Sequence, residues 1–290
     1  MKPEEMLVNP KVTIEILRKY DLKFEKKFGQ NFLIDAHVIG RMIEGAQITR
    51  EDTVIEIGPG IGTLTQFLAQ SAGRVISVEI DNKLIPVLEE TLAEFGNTEV
   101  INADVMKLDI AQLLSDRGIT GPVKVVANLP YYITTPIIMG LLEGGYPFKS
   151  ITVMIQKEVA RRIQAGPGTK DYGALSLAAG FYAKPYIVAN VPANCFMPRP
   201  NVDSAVIRLT LYDEKPVQPK DEKLMFALIK AAFAQRRKTL ANAVVNAGSG
   251  FTREDVEGAL SQMGLSADLR GEKLDARQFA RLSDVLGEKG

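Results

Sequence analysis

Thr53-Val54-Ile55-Glu56-Ile57-Gly58-Pro59-Gly60-Ile61-Gly62-Thr63-Leu64-Thr65 reads as a strand, a glycine turn and the first turn of a helix. The β-branched residues favour the strand, and glycines at 58, 60 and 62 let the backbone turn tightly and approach a ligand closely. Such a turn lies at the carboxyl end of its strand, where open α/β sheets bind ligands. A dinucleotide fingerprint, G-x-G-x-x-G, requires glycine at 63, where this chain has Thr63, so a pyrophosphate is disfavoured. A Walker loop fails for want of its lysine.

Outward from this turn, three further apolar runs end in polar residues. Arg74-Val75-Ile76-Ser77-Val78 ends at Glu79, placed to accept hydrogen bonds from both hydroxyls of a ribose. Glu79 alone decides little, because NAD folds put an acid there too. Glu99-Val100-Ile101-Asn102-Ala103 precedes Asp104, which suits an adenine amino group, with a helix N-cap as the lesser alternative. Val123-Lys124-Val125-Val126-Ala127 precedes Asn128-Leu129-Pro130-Tyr131. An exocyclic adenine amine is a poor nucleophile because its lone pair is delocalised into the ring. Two oxygen acceptors aimed at its hydrogens, the Asn128 side-chain carbonyl and the Leu129 backbone carbonyl, favour a pyramidal nitrogen and stabilise the charge that develops on attack. Pro130 keeps Leu129 extended, and Tyr131 can stack on the ring. An ordinary strand-to-turn break is the bland alternative, since Asn and Pro are common in turns.

Gly58, Glu79, Asp104 and Asn128 thus stand at consecutive strand ends, in the order used by class I S-adenosylmethionine methyltransferases. At these residues the chain resembles the ribosomal RNA adenine-N6,N6 dimethyltransferases, most closely the bacterial small-subunit branch known through kasugamycin resistance. The likeness runs nearly end to end. It includes Lys27-Phe28-Gly29-Gln30-Asn31-Phe32-Leu33-Ile34-Asp35 and Phe196-Met197-Pro198-Arg199-Pro200-Asn201-Val202-Asp203-Ser204. It also includes Gln235-Arg236-Arg237-Lys238-Thr239-Leu240 and the set Arg270, Glu272, Leu274 and Phe279. The resemblance implies a Rossmann-like, seven-stranded, mostly parallel α/β sheet with a small C-terminal α-helical domain. It implies S-adenosylmethionine as methyl donor, held by Asn31, Leu33, Gly58, Gly60, Glu79, Asp104 and Asn128, with no metal. Asn128 to Tyr131 and Phe196 then form the acceptor site, Phe196 lying with Tyr131 against a flipped adenine; a buried core aromatic is the alternative for Phe196. The implied substrate is a pair of adjacent adenosines in the 3′-terminal hairpin of 16S RNA, within an immature small subunit.

Composition fits this. With 290 residues, 46% hydrophobic and 24% charged, the chain can bury a large core and a smaller second one. The amino terminus has no apolar signal region, and no apolar run reaches the roughly 18 residues of a membrane span, so a cytoplasmic protein is expected. Cys195 is the single cysteine, expected as a small buried hydrophobe. His37 is the single histidine, expected on a solvated helix face, which argues against zinc catalysis and a Ser-His dyad.

Net charge is zero, 35 basic against 35 acidic residues, so RNA binding requires local patches. One runs from 215 to 245 and contains Arg236, Arg237 and Lys238; another runs from 149 to 170 and contains Arg161 and Arg162. Both suit phosphates, with a steep salt dependence; solvated helix faces are the alternative.

Helices are expected over Val12 to Tyr20, Ala36 to Gly45, Leu64 to Gln70 and Lys83 to Ala93, alternating with strands up to Leu211 in the rhythm of a parallel sheet. Tyr186 to Val191 and Ala205 to Leu211 form an antiparallel pair that ends it. Ala165 to Gly173, rich in glycine and proline, reads as a mobile loop near the substrate. The linker Asp213 to Pro219 marks a boundary, giving a catalytic domain over 1–213 and a helical RNA-binding domain over 214–290. Four helices follow it: Glu222 to Phe233, Lys238 to Val245, Arg253 to Met263 and Ala276 to Leu286. The lack of a coiled-coil heptad suggests a monomer. Three other functions stay open: a large-subunit (23S) RNA methyltransferase of the resistance type, a largely non-catalytic assembly factor, and a DNA adenine methyltransferase.

Overall fold

The computed structural model describes residues 6–22 and 31–288; residues 27–30 of the first motif lie outside the described residues. Nine strands form among them: β1 (Phe32–Leu33), β2 (Thr53–Ile57), β3 (Arg74–Glu79), β4 (Thr98–Asn102), β5 (Val123–Asn128), β6 (Phe148–Gln156), β7 (Ala183–Val191), β8 (Phe196–Met197) and β9 (Ser204–Leu211). Seven make one sheet in the order β4-β3-β2-β5-β6-β9-β7. From β4 to β6 every pairing is parallel, and β9 runs antiparallel to β6. The two strands expected to end the sheet are its last neighbours, β9 next to β6 and β7 outside it at the edge. β1 and β8 form a separate antiparallel pair, Leu33 opposite Phe196 and Phe32 opposite Met197.

β2 and β5 carry consecutive Val and Ile because both of their faces are covered. The helices Ala36–Ala46 and Thr63–Ser71 supply Val38, Ile39, Met42, Leu64 and Leu68 to one core with Val54, Val75 and Val126. His37, on the first of these helices, is exposed as expected. At the amino ends of β2 and β5, the buried Lys124 ammonium is satisfied by the Asp52 carboxylate at 2.7 Å and the Gln47 carbonyl at 2.6 Å. From β2 the chain steps to β3 and β4, then returns to the other side of β2 as β5. The strand order therefore reverses between β2 and β5, and the loops leaving their carboxyl ends diverge to open a crevice.

Contacts divide the chain into two compact units: Met1–Ala160 with Tyr186–Leu211, and Arg161–Pro185 with Tyr212–Gly290. A single boundary at 213 misplaces residues 161–185. Tyr172, Leu177 and Phe181 share a core with Met225, Leu228, Val244, Leu260 and Phe279, so burial of these aromatic and aliphatic side chains assigns the segment to the helical unit. That unit contains the helices Ala174–Tyr182, Glu222–Ala234, Leu240–Asn246, Arg253–Gln262 and Ala276–Gly287. Reciprocal capping by Thr252 with Asp255, and by Asp275 with Gln278, starts the last two.

The stretch from 165 to 173 is non-helical, as its glycines and proline demand, but it is tied down within this unit. Gly168 N donates to the Glu272 carbonyl at 2.8 Å, Tyr172 Oη to the Leu274 carbonyl at 2.8 Å, and Arg236 Nη1 to the Lys170 carbonyl at 3.1 Å. Among the described residues no helix is long and apolar enough to cross a membrane.

Candidate active site

At the carboxyl ends of β2, β3 and β5 lies a cleft of about 830 Å³, open mouth included. Asn31, Leu33, Gly58, Gly60, Glu79, Asn128, Leu129, Pro130 and Tyr131 all line it. Gly58 and Gly60 have φ of +67° and +62°, a conformation other residues rarely adopt. A Cβ at Gly58 would meet no atom within 4 Å, so it would project into open space at the cleft wall. One on Gly60 would press on Phe32 Cε1 at 3.0 Å.

Glu79 closes the turn against β3. Its Oε2 accepts from Gly60 N at 3.2 Å and its Oε1 from Asp81 N at 2.8 Å. Burial pushes this carboxyl above the usual range, while those two N–H groups favour its charged form. Glu56, two residues before Gly58, also lines the cleft; it is fully buried and accepts from Ser77 Oγ at 3.0 Å. Burial pushes its carboxyl up to about 7.

Asn128 is the last residue of β5. Its Nδ2 donates to the Asn31 carbonyl at 3.0 Å, which assigns the amide orientation and leaves Oδ1 with no partner among the described residues. The next residue, Leu129, donates its N–H to the Met154 carbonyl at 3.1 Å, and its own carbonyl accepts nothing among the described residues. Two unused oxygens thus stand on adjacent residues of the cleft wall. Pro130 lies in the turn after β5, and its carbonyl accepts from Thr134 Oγ1 at 2.9 Å, fixing the turn into the helix Thr134–Glu143. The Tyr131 hydroxyl shares a 2.6 Å hydrogen bond with the buried Ser204 hydroxyl at the start of β9.

Residues 7–287 match the family model described as Ribosomal RNA adenine dimethylase. The chain belongs to this family. It is 58% identical over 98% of both chains to the Ribosomal RNA small subunit methyltransferase A of Lachnoclostridium phytofermentans, and 50% identical to that of Alkaliphilus metalliredigens over 98% of this chain and 99% of the relative. Among solved structures, it is similar to a dimethyladenosine transferase from Plasmodium falciparum, with TM-score 0.73 and 26% identity over 87% of this chain and 95% of that one. The 23S rRNA methyltransferase ErmE follows with TM-score 0.67 and 29% identity over 89% and 100%.

In this member of the ribosomal RNA adenine dimethylase family, Phe196 and Asp104 are not among the residues lining the cleft, and Arg236, expected to contact RNA, has partners within the helical unit. Phe196, expected against the target base, is 3% exposed and packs in the core with Met42 and Val206, backing Leu33 rather than lining the cleft. Asp104 lies outside the cleft lining; its Oδ1 accepts from Met106 N at 3.0 Å, capping the turn after β4. Arg236 is engaged within the helical unit, pairing with the Glu272 carboxylate at 3.3 Å besides the Lys170 carbonyl. Arg161, Arg162, Arg237 and Lys238 are exposed. Cys195 is buried as expected, its thiol facing Asp35 Oδ2 at 3.3 Å and pushed up to about 11 by burial and that carboxylate.

Eight lining residues lie outside the expected site set: Phe32, Glu56, Pro59, Thr63, Leu64, Ile80, Leu84 and Tyr132. Glu56 was signalled by an acid inside an apolar strand. Ile80 and Tyr132, 51% and 60% exposed, carry no sequence signal beyond following Glu79 and Tyr131.

Proposed function

We propose that this chain transfers methyl groups from S-adenosylmethionine to the N6 amine of adenosine in small-subunit ribosomal RNA, giving N6,N6-dimethyladenosine. The observation that carries this is a pair of oxygens, Asn128 Oδ1 and the Leu129 carbonyl, that have no partner among the described residues and stand on the wall of a cleft at the sheet's switch point. An amine has two hydrogens to donate, and these are two acceptors. The curated relatives at 58% and 50% identity are named for the small subunit, which favours that RNA over the 23S alternative.

The cleft fits the methyl donor, because Gly58 leaves space where a side chain would intrude and Glu79 presents a carboxylate beside it. When bound, S-adenosylmethionine supplies a sulfonium methyl group and departs as a neutral thioether, so no strong base is needed. Gly58, Gly60 and Glu79 hold the donor, with Asn31 and Leu33 along its side. Asn128 and Leu129 orient the amine and stabilise the positive charge that builds on it. Tyr131, held through its hydroxyl by Ser204, is placed to stack on the base. Holding both reactants in line is worth roughly 7 to 11 kcal/mol, so positioning dominates the catalysis. A base must leave its stack to reach the cleft, at a cost of a few kcal/mol.

The finer reading is two adjacent adenosines of the 3′-terminal 16S hairpin within an immature subunit in the cytoplasm, acted on by a monomer. Arg161, Arg162, Arg237 and Lys238 supply exposed charge for the phosphates. A purely non-catalytic assembly role is disfavoured because a placeholder needs no open glycine turn or unused acceptor pair.

The test is methyl incorporation into small subunits that lack the modification, followed by mapping of the modified adenines. Dimethyladenosine at the 3′-terminal hairpin is expected. Labelling of large-subunit RNA instead would favour the 23S activity, and no labelling of either would end the proposal.

A further inference from the structure

Tyr132 is the one large aromatic of the cleft lining that stands mainly in solvent, at 60% exposed. It makes no hydrogen bond or ring contact with the described residues, in contrast to Tyr131, whose hydroxyl is held by Ser204. Its backbone is nevertheless fixed. The Pro130 carbonyl on one side accepts from both Ile133 N at 3.3 Å and Thr134 Oγ1 at 2.9 Å, so Tyr132 sits inside a bonded turn at the start of a helix. A ring with two rotatable angles on a rigid turn loses little entropy on stacking.

We infer that Tyr132 is a stacking platform for the nucleotide base next to the target adenosine. The inference rests on the RNA adenine methyltransfer proposed above. Tyr131 is half-buried beside the amine acceptors, whereas Tyr132 stands one residue further out at the rim. Flipping one base into the cleft strips its neighbour of a stacking partner, and an exposed aromatic replaces that partner. Phe196, buried in the core, does not provide this surface. The hydroxyl of Tyr132 has no role in this arrangement, and the flat ring is what matters.

Steady-state methylation of unmodified small subunits by wild type, Tyr132→Phe, Tyr132→Leu and Tyr132→Ala, together with calorimetric binding of S-adenosylmethionine, tests it. Tyr132→Phe should behave as wild type. Tyr132→Leu and Tyr132→Ala should raise KM for the subunits about tenfold, with a smaller change in kcat. Affinity for S-adenosylmethionine should be the same in all four. Unchanged KM in Tyr132→Ala, equal recovery by Leu and Phe, or a loss of S-adenosylmethionine binding would each overturn the platform while leaving the methyltransfer intact. Absence of methylation by wild type would overturn both.

Discussion

Asn128 Nδ2 donates to the Asn31 carbonyl at 3.0 Å, and this one bond fixes which end of the amide is left to accept. Asn31 precedes β1 and Asn128 ends β5, 97 positions apart in sequence. With the nitrogen engaged, the oxygen is left for a donor such as an amine.

That orientation predicts the response to two substitutions. Asn128→Ala removes one acceptor, and methyl incorporation should fall by about two to three orders of magnitude, the usual loss for a preorganised hydrogen-bonding group. Asn128→Asp keeps an oxygen at the site but sets a carboxylate against the Asn31 carbonyl, so the group must turn away and activity should not be rescued. Single-turnover methylation of small subunits checks both, and wild-type rates for Asn128→Asp would show that the Asn31 contact is irrelevant.

Gly58 sets the width of the donor seat. Gly58→Ala places a methyl group into the open space at the cleft wall and forces φ of +67° on a residue with a Cβ, a strain of about 1 kcal/mol. The protein should fold with a slightly lower Tm, while calorimetry with S-adenosylmethionine shows at least a tenfold weaker Kd. An unchanged Kd would mean the donor does not pass close to this turn.

Glu56 links stability to pH. Burial holds its carboxyl at about 7 in the folded chain, above the ordinary value near 4.5, so the unfolded state deprotonates first. The sign follows: the penalty is absent below pH 4.5, grows as pH rises to 7, and is constant above that. Its size is on the order of 3 kcal/mol. Glu56→Gln should therefore show a flatter decline of unfolding free energy between pH 5 and 8 than wild type in urea titrations. A cationic donor entering the cleft favours the charged carboxylate. Binding of S-adenosylmethionine at pH 7 should then release a fraction of a proton, seen as a buffer-dependent calorimetric enthalpy that disappears in Glu56→Gln.

Arg236 and its neighbour Arg237 should separate architecture from RNA contact. Arg236→Ala breaks the pairing with Glu272 and the hold on the Lys170 carbonyl, so amide exchange across 165–172 should quicken. Arg237→Ala removes an exposed charge, leaves the Tm unchanged, and should lower the salt dependence of RNA binding by about one counterion. Equal effects of the two on RNA affinity, with exchange unaltered, would contradict this division.

The strand ends are legible in the sequence because the signal there is local: β-branched runs that stop at Gly58, Glu79 and Asn128 announce a parallel sheet and its carboxyl edge. The C-terminal helices are legible for the same reason, through apolar spacing and caps such as Thr252 with Asp255. Residues 161–185 are not, because their glycines look like a loop of the first domain. The partners that claim them, Met225, Glu272 and Leu274, lie far along the chain. Asp104 has the same side chain whether it meets an adenine or caps a turn, so only the fold distinguishes the two.

By itself, then, the amino-acid order determined the alternation of strand and helix, the glycine turn and the chemical types standing at each strand tip, since these depend on neighbours within a few residues. Tertiary structure alone decided which amide end of Asn128 is free, that Phe196 faces the core, that Arg236 is tied to Glu272, and that Tyr132 is exposed. Each of those outcomes depends on a group brought from a distant part of the chain, or on the absence of one, and burial and hydrogen-bond satisfaction are properties of the assembled fold.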